Sequence, residues 1–218
     1  MIIFVPGTHE ALDGVGSCSS CWDFYGRWTN LGGHVVDLEG PYWWSTALDG
    51  IIGENADWEE GARLLVEYVK KYQAEPVSLV AHSHGGQVAL LAAKELKVDL
   101  LVTVATPVRQ DIKASVKTAR GNIAHWAHFY SNERGTPWQW LGSLFDGKLG
   151  VERGFTWADE NFFVPDQTHA GLLSCPELWS FLENCIRAGD KHSGIFSTNQ
   201  NTPNRCIQPM IDRHDESS

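Results

Sequence analysis

The chain has 218 residues, and its 43% hydrophobic and 20% charged residues are ordinary proportions for one globular domain with a sizeable core. Its formal net charge of −10 argues against a nucleic-acid partner, because phosphate binding requires clustered lysine and arginine side chains. No apolar run approaches the roughly 18 residues that a membrane-spanning helix requires, which argues against an integral membrane segment.

The amino terminus predicts a cytoplasmic protein. It lacks the basic region of a signal peptide, and Met1–Val5 has the composition of a strand from the first residue. We expect secretion only if a leader has been removed from the chain.

The cysteines and histidines predict no metal and no other cofactor. Five cysteines do not make a disulfide framework in a chain of this length, and the pair Cys18 and Cys21 has no second pair to complete a zinc site. His82 and His84 have the spacing of a metal-binding pair, but carboxylates are lacking nearby in the sequence. We therefore expect a structural role for the cysteines.

Short apolar runs alternate with helical stretches, which is the pattern of an α/β domain with a mainly parallel sheet. The predicted strands are Ile2–Val5, His34–Leu38, Val77–Ala81, Leu100–Ala105, Ala127–Tyr130 and Asn161–Val164. The predicted helices are Cys21–Leu31, Asp57–Tyr72, Gly86–Leu96 and Pro176–Ile186.

Two regions depart from this alternation. Residues 135–158 are rich in glycine and aromatic residues without clear periodicity, and we interpret them as an excursion that forms a partial lid or a substrate pocket. Residues 189–218 are polar, which predicts an extended or partly disordered tail after a domain at 1–188.

The segment Ala81–Gly86 carries the strongest indication of chemistry. It lies between the apolar run Pro76–Val80 and the helical stretch Gln87–Leu96, so that Ser83 is expected at a tight turn between a buried strand and a helix. Such a turn strains the backbone and exposes the hydroxyl, and the small residues two before and two after the serine allow strand and helix to approach. Ser83 is therefore the predicted nucleophile.

A nucleophilic serine needs a base, and His169 is the predicted one. It lies after the last predicted strand and just before the last helix, where a loop brings the imidazole over the serine. The alternatives are less favourable: His125 and His128 flank a strand and suit packing, whereas His82 and His84 adjoin the serine and point away from it.

Two backbone amides are predicted to bind the oxyanion that forms on acyl attack. One is that of His84, at the start of the helix after the serine. The other is that of Thr8, in the loop after the first strand, where Gly7 permits close backbone approach. Without Ser83, the same loop would equally be an ordinary strand-ending turn.

With these motifs together, the chain resembles an α/β-hydrolase, in particular the minimal, lidless type of small bacterial lipase or esterase. The resemblance covers most of residues 1–187 and includes Val5–Thr8, Ala81–Gly86, Leu101–Pro107 and His169–Leu173. It departs at Pro6, where the family commonly has histidine, and at Ala81, where it usually has glycine. The resemblance implies a three-layer α/β-hydrolase fold of about six mainly parallel strands with helices on both faces, and hydrolysis of carboxylic esters through an acyl-enzyme.

The third member of the catalytic group is less clearly marked. Family members place the acid just past the sixth strand, after a Tyr-Ser-like pair, and here Arg134 occupies the usual spacing after Tyr130 and Ser131. Glu133 lies one residue earlier, and its longer arm compensates for the shift. An exposed Glu133 paired with Arg134 is nearly as good an interpretation. The other candidate acids are Asp146, Asp159 and Asp166.

Aromatic side chains suggest an apolar substrate, namely a small-molecule ester or a lipid-like ester. Several are expected near the carboxyl ends of the strands, where open α/β sheets bind ligands. The candidate pocket residues are Trp43, Trp44, Trp138 and Trp157, although each alone equally suits the covering of a small core.

The same motifs also serve thioesterases, amidases, lactonases and acyltransferases, since the fold does not decide the substrate. A non-catalytic binding protein on a decayed hydrolase fold is the alternative from another class. Ser83, His169 and the oxyanion loop argue against it.

Overall fold

In the computed structural model, the described part of the chain comprises residues 1–7, 24, 26–28, 30–31, 34–35, 56–74, 77–107, 113–131 and 154–191. It contains the strands β1 Ile2–Val5, β2 His34–Val35, β3 Val77–His82, β4 Val98–Val104, β5 Ile123–Tyr130 and β6 Glu160–Phe163. Its helices are α1 Ala56–Lys71, α2 Gly85–Ala92, α3 Lys113–Arg120 and α4 Pro176–Lys191, with a 3₁₀ turn at Gly171–Ser174. Residues 24, 26–28 and 30 are also helical.

The strands form one sheet in which every described pairing is parallel, with the order β2-β1-β3-β4-β5-β6. From β1 the chain first moves outward to β2, and it then returns to β3 on the other side of β1. The order therefore reverses between β1 and β3. Crevices outside the carboxyl ends of the strands at such a reversal are where open α/β sheets bind ligands.

Alternate side chains of the strands enter two separate cores, one on each face of the sheet. Ile3 and Val5 of β1 join a first core cluster with residues of α1, α2 and α3, whereas Phe4 joins a second cluster with Trp28 and with Trp179 of α4. Because side chains alternate in direction along a strand, these two sets lie on opposite faces. Helices thus cover both faces, which confirms the predicted three-layer fold class.

The bounds of several elements differ from the prediction. β4 and β5 begin earlier than predicted, because the polar residues Asp99 and His125 interrupt the apolar pattern at their amino ends. Helix α3 was not predicted at all, since it buries only a narrow apolar edge that includes Val116 and Ala119. Helix α4 begins at Pro176 as predicted and extends to Lys191.

Some predicted elements lie partly or wholly outside the described residues. These are the end of the predicted strand His34–Leu38, most of the excursion at 135–158 and the tail beyond residue 191. Among the helices that the structure does describe, none is both long and apolar enough to cross a membrane.

Candidate active site

Ser83 lies at the tight turn between β3 and α2 and has a backbone φ of 52°, in the left-handed region. Residues other than glycine enter that region at a cost, so the surrounding structure must hold the serine there. One restraint is the hydrogen bond that the Ser83 amide donates to the carbonyl of Val104 at 2.9 Å. The serine is half-buried, whereas the residues of β3 before it are largely buried.

Close backbone contacts bring the start of α2 against the end of β1. A Cβ atom on Gly85 would lie 2.3 Å from the carbonyl oxygen of Pro6 and 2.4 Å from that of Val5. No larger residue fits without a backbone shift, because real Cβ atoms essentially never approach so closely. Glycine at this position therefore holds the turn at Ser83 beside the loop that begins at Pro6 and Gly7.

The neighbouring strand makes a similar contact with the second glycine of the turn. A Cβ atom on Gly86 would lie 2.1 Å from Oγ1 of Thr106, two residues past the end of β4. The side chain of Gln87, also buried, donates a 2.5 Å hydrogen bond from Nε2 to the Pro107 carbonyl. The segments after β1 and β4 thus enclose the start of α2 from two sides.

Of the two predicted oxyanion donors, the structure describes His84 and does not describe Thr8. His84 directly follows Ser83 at the start of α2, and its half-buried ring lies 5.4 Å from the ring of Trp58, measured between centroids. Thr8 lies outside the described residues, and the preceding residue, Gly7, is buried two residues after the end of β1. The contacts of Gly85 place that end of β1 next to the start of α2.

His169 lies in the loop between β6 and the 3₁₀ turn, and it is half-buried. Its backbone carbonyl accepts a 3.0 Å hydrogen bond from Nε2 of His82, the last residue of β3. The imidazole rings of the two histidines are 4.9 Å apart between centroids. Because His82 immediately precedes Ser83, the loop that carries His169 reaches the turn that carries the serine.

Two further hydrogen bonds hold the same loop. Ser131, at the end of β5 and buried, accepts a 3.2 Å hydrogen bond at Oγ from the amide of Gln167. The hydroxyl of Thr168 accepts one of 2.8 Å from the amide of Gly171, the first residue of the 3₁₀ turn. Leu172 and Leu173 follow, and both are buried in the second core cluster.

The candidate acids do not share one location. Glu133 and Asp146 lie outside the described residues. Asp166 is exposed in the His169 loop and has a φ of 59°. Asp159 directly precedes β6, and therefore lies at the amino end of that strand, whereas His169 follows its carboxyl end.

The carboxylate of Asp159 has structural partners. One oxygen pairs with the guanidinium of Arg120, and the other accepts a 2.8 Å hydrogen bond from the amide of Trp126. His125 lies close by, with Nδ1 at 3.7 Å from the same carboxylate and Nε2 at 2.9 Å from Glu160. This group joins α3, β5 and β6 at the amino ends of the strands.

Of the candidate pocket aromatics, Trp43, Trp44 and Trp138 lie outside the described residues. Trp157 is described, and its carbonyl accepts a 3.0 Å hydrogen bond from Nε of Arg120, the last residue of α3 before β5 begins. Its partly buried side chain packs against the first core cluster. Trp157 therefore lies towards the amino ends of the strands, away from Ser83.

The remaining histidines differ from expectation in one respect. His125 and His128 both lie within β5 rather than beside a strand. His128 is fully buried, and its Nδ1 lies 2.8 Å from Oγ1 of Thr103, its register partner on β4, which fits the predicted packing role. In the described part of the chain, no group of three or more histidine, cysteine or acidic residues is arranged to hold a metal ion.

Sequence reasoning missed the partner of His82. The expectation was that His82 points away from Ser83, and no use for its side chain was assigned. The alternation of side chains along β3 could have indicated where the His82 side chain lies. Val80 and His82 share one face of the strand, and Val80 belongs to the second core cluster. Leu172 and Leu173, next to His169, belong to that cluster as well.

The sheet is parallel and has helices on both faces. Ser83 has a left-handed backbone conformation and lies between a strand and a helix, where the strand order reverses. These are features of the α/β-hydrolase fold. The chain belongs to the alpha/beta hydrolase family, whose model matches residues 2–190. The family predicted from the sequence is thereby confirmed.

Solved structures of similar fold include an esterase domain, a lipase and a lidless serine hydrolase. The esterase domain of a Rhodothermus marinus protein is 14% identical, with a TM-score of 0.53 over 88% of this chain and 88% of that one. A Bacillus licheniformis lipase in its mature form is 14% identical, with a TM-score of 0.52 over 85% of this chain and 91% of that one. A lidless α/β serine hydrolase from Xanthomonas campestris is 16% identical, with a TM-score of 0.52 over 86% and 81% of the two chains. No curated protein matches the chain in sequence.

Proposed function

We propose that the protein is a serine hydrolase that cleaves carboxylic esters through an acyl-enzyme. In this proposal Ser83 is the nucleophile, His169 the general base and acid, and Glu133 the acid that orients His169. The backbone amides of Thr8 and His84 bind the oxyanion. Membership of the alpha/beta hydrolase family and the similar folds of an esterase domain and a lipase support hydrolysis as the reaction class.

One observation carries the proposal. Ser83 is held at a φ of 52° between β3 and α2, and the residue before it contacts the loop of His169 through both its ring and a 3.0 Å hydrogen bond. The loop of His169 therefore lies against the side chain of the residue that adjoins Ser83 in the chain. A serine in strained backbone geometry, with the histidine-bearing loop against the preceding residue, supports nucleophilic acyl transfer, in which a base must reach the serine hydroxyl.

The chemistry follows from these roles. Oγ of Ser83 attacks the ester carbonyl while His169 removes the hydroxyl proton, and the two amides bind the oxygen that becomes negatively charged. The tetrahedral intermediate then collapses: its bond to the alkoxide breaks, and His169 returns the proton to the leaving alcohol. Water, deprotonated by the same histidine, attacks the acyl-enzyme and releases the carboxylic acid with Ser83 restored.

The position of Ser131 supports Glu133 as the acid. The hydroxyl of Ser131 is hydrogen-bonded to the amide of Gln167, so the end of β5 meets the loop of His169 two residues before the base. Glu133 follows Ser131 by two residues, a span of at most about 7 Å. Asp159 is the least favourable of the alternatives, because its carboxylate is already engaged by Arg120 and by the amide of Trp126.

For the substrate we propose an ester with an apolar acyl group. The aromatic residues Trp43, Trp44 and Trp138 support this proposal, because aromatic walls favour apolar ligands. The position of Trp157 near the amino ends of the strands is a reason to leave it out of the pocket.

A fluorophosphonate probe tests the nucleophile directly. We expect one equivalent of probe to modify Ser83 in the wild type, and Ser83→Ala to lose both labelling and turnover while it keeps its fold. Ser78→Ala is the matched control, since Ser78 is a half-buried serine on the same strand and is expected to leave both unchanged. Labelling at another residue, or turnover that survives in Ser83→Ala, would exclude the proposed nucleophile.

A series of p-nitrophenyl esters of increasing acyl length then tests the substrate class. We expect kcat/KM to rise with acyl length as the apolar pocket fills. Stoichiometric labelling of Ser83 without hydrolysis of any ester would retain the nucleophile and contradict the ester class.

A further inference from the structure

We infer that His82 is a positioning residue for His169: the N–H at its Nε2 holds the carbonyl of the base and thereby fixes the imidazole relative to Ser83. The inference deepens the proposed function and rests on it, because it assigns a role in the same site to a residue that lies outside the catalytic group. His82 acts through a contact between its side chain and the backbone of His169, and it takes no part in the proton transfers.

His82 is rigidly placed. It is the last residue of β3, its register partner is Val104 of β4, and its side chain is fully buried. A side chain at the end of a central strand, enclosed on all sides, has few rotamers available. The position of its Nε2 atom is therefore well defined, and so is the position of the carbonyl group that binds there.

The hydrogen bond also defines which ring nitrogen bears the proton. The partner of Nε2 is the His169 carbonyl oxygen, 3.0 Å away, and a carbonyl oxygen only accepts. Nε2 of His82 must therefore be protonated and act as the donor. Because Nε2 of His82 already bears a proton, that nitrogen cannot accept the hydroxyl proton of Ser83.

The hydrogen bond from His82 restrains the loop of His169 at a residue that belongs to no helix or strand. His169 lies in the irregular segment between the end of β6 and the 3₁₀ turn. The hydrogen bonds from the amide of Gln167 to Ser131 and from the amide of Gly171 to Thr168 restrain the residues on either side of the base. The bond from His82 restrains the peptide group of the base itself, and the direction of a side chain depends on its own backbone.

The contact links nucleophile and base through one residue. His82 is bonded covalently to Ser83 and non-covalently to His169, with the two rings 4.9 Å apart. A shift of about 1 Å in a catalytic group is enough to slow a reaction roughly 100-fold. Loss of the hydrogen bond is therefore expected to lower the rate of acylation more than it lowers substrate affinity.

The test compares three substitutions of buried histidines in the full chain. His82→Phe keeps a flat ring and removes the donor, whereas His82→Gln restores an amide N–H at a similar distance from the backbone. His128→Phe is the matched control, because His128 is also fully buried and hydrogen-bonded, but to Thr103 on β4. His82→Asn, whose amide is too short to reach the carbonyl, takes the place of His82→Phe if that variant does not fold.

We expect His82→Phe to lower kcat about 10- to 100-fold with little change in KM, and to slow fluorophosphonate labelling of Ser83 by the same factor. His82→Gln is expected to recover most of the loss, and His128→Phe to lower the melting temperature without the loss of kcat. A folded His82→Phe variant with wild-type kcat and labelling rate, or a His82→Gln variant no better than His82→Phe, would overturn the inference.

A spectroscopic measurement separates this inference from the proposed function. In protein labelled with ¹⁵N-histidine, His82→Phe is expected to shift the ring resonances of His169, and His128→Phe is expected to leave them in place. Unchanged His169 resonances in His82→Phe would refute the positioning role whether or not the protein hydrolyses esters. If the wild type is neither labelled nor active but those resonances do shift, the proposed function fails while the contact stands.

Discussion

The amide of Ser83 and the carbonyl of Val104 are joined by a 2.9 Å hydrogen bond, so the ladder between β3 and β4 continues one residue past the end of β3. The next pair of strands repeats the arrangement: Ala105 follows β4, has a φ of 51°, and donates from its amide to the carbonyl of Phe129. In both cases the residue at which the chain turns into the left-handed region is hydrogen-bonded to the neighbouring strand. These hydrogen bonds offset part of the free-energy cost of that conformation.

The strain at Ser83 predicts a difference between two inactive variants. Glycine enters the left-handed region without a steric penalty, so Ser83→Gly is expected to be about 1 kcal/mol more stable than Ser83→Ala. Urea unfolding monitored by tryptophan fluorescence measures the difference. Gln73 provides the control, since it is an exposed turn residue with a φ of 49°, and Gln73→Gly is expected to gain a similar amount over Gln73→Ala. Equal stability of the two Ser83 variants would mean that the turn is unstrained.

The close contact of Gly85 with β1 predicts a large loss of stability on adding a single methyl group. Gly85→Ala places a Cβ atom 2.3 Å from the Pro6 carbonyl, and we expect a loss of about 2–4 kcal/mol. The control is Gly26→Ala, where no heavy atom of the described residues lies within 4 Å of the added Cβ, apart from its chain neighbours and its own helix. Gly26 is a helical residue, so alanine there is expected to raise stability by about 0.5–1 kcal/mol. Thermal denaturation of both variants gives the comparison.

The candidate acids are separated by activity and stability measured together. Glu133→Gln is expected to lower kcat about 10²- to 10⁴-fold with little effect on stability, because the acid orients and stabilises the protonated base. Asp159→Asn is expected to keep its turnover and to lose about 1 kcal/mol of stability with the Arg120 ion pair. A loss of turnover in Asp166→Asn, with none in Glu133→Gln, would transfer the role to Asp166.

The thiols of Cys175 and Cys185 predict a fall in stability at alkaline pH. Burial raises the pKa of the Cys175 thiol to about 11 from the ordinary value near 9, and burial together with the charge of Glu160 raises the pKa of Cys185 to about 12. The folded state therefore favours the neutral thiols. Their contribution is complete below pH 9 and is lost as the pH rises towards the folded pKa values, because the unfolded chain releases these protons first.

Cys175→Ala isolates this contribution from the other groups that titrate at alkaline pH. Between pH 9 and the folded pKa, the wild type is expected to lose up to ~1.4 kcal/mol per pH unit more than the variant does. Unfolding free energies at pH 8 and pH 10 for both proteins provide the measurement. Parallel pH profiles would show that Cys175 ionises equally in the folded and the unfolded chain.

Local patterns in the sequence predicted most of the architecture. β1 was predicted with its bounds and β3 to within one residue, because central parallel strands are continuous apolar runs between turn residues. Helix α3 was missed because eight largely polar residues show too little periodicity. The turn at Ser83 has a sequence signature of its own, since glycine is required at Gly85 for contact with β1.

The contacts that assemble the candidate site could not be predicted in the same way. His82 and His169 are 87 positions apart, and nothing in either local sequence indicates that the ring of one binds the carbonyl of the other. The same holds for Asp159, which the sequence offered as a candidate acid and which is the partner of Arg120 in the structure. Pairings of this kind depend on strand order, and strand order is a property of the whole fold.

Every residue of α2 is buried, whereas His169 lies half-buried in an irregular loop. Amide protons in α2 are therefore expected to exchange with solvent only when the whole molecule unfolds, and those of the loop through small local openings. The two halves of the proposed reaction centre thus belong to different cooperative units. At low concentrations of denaturant the loop is expected to open first, which would leave molecules in which Ser83 is still in place but has lost its proposed base.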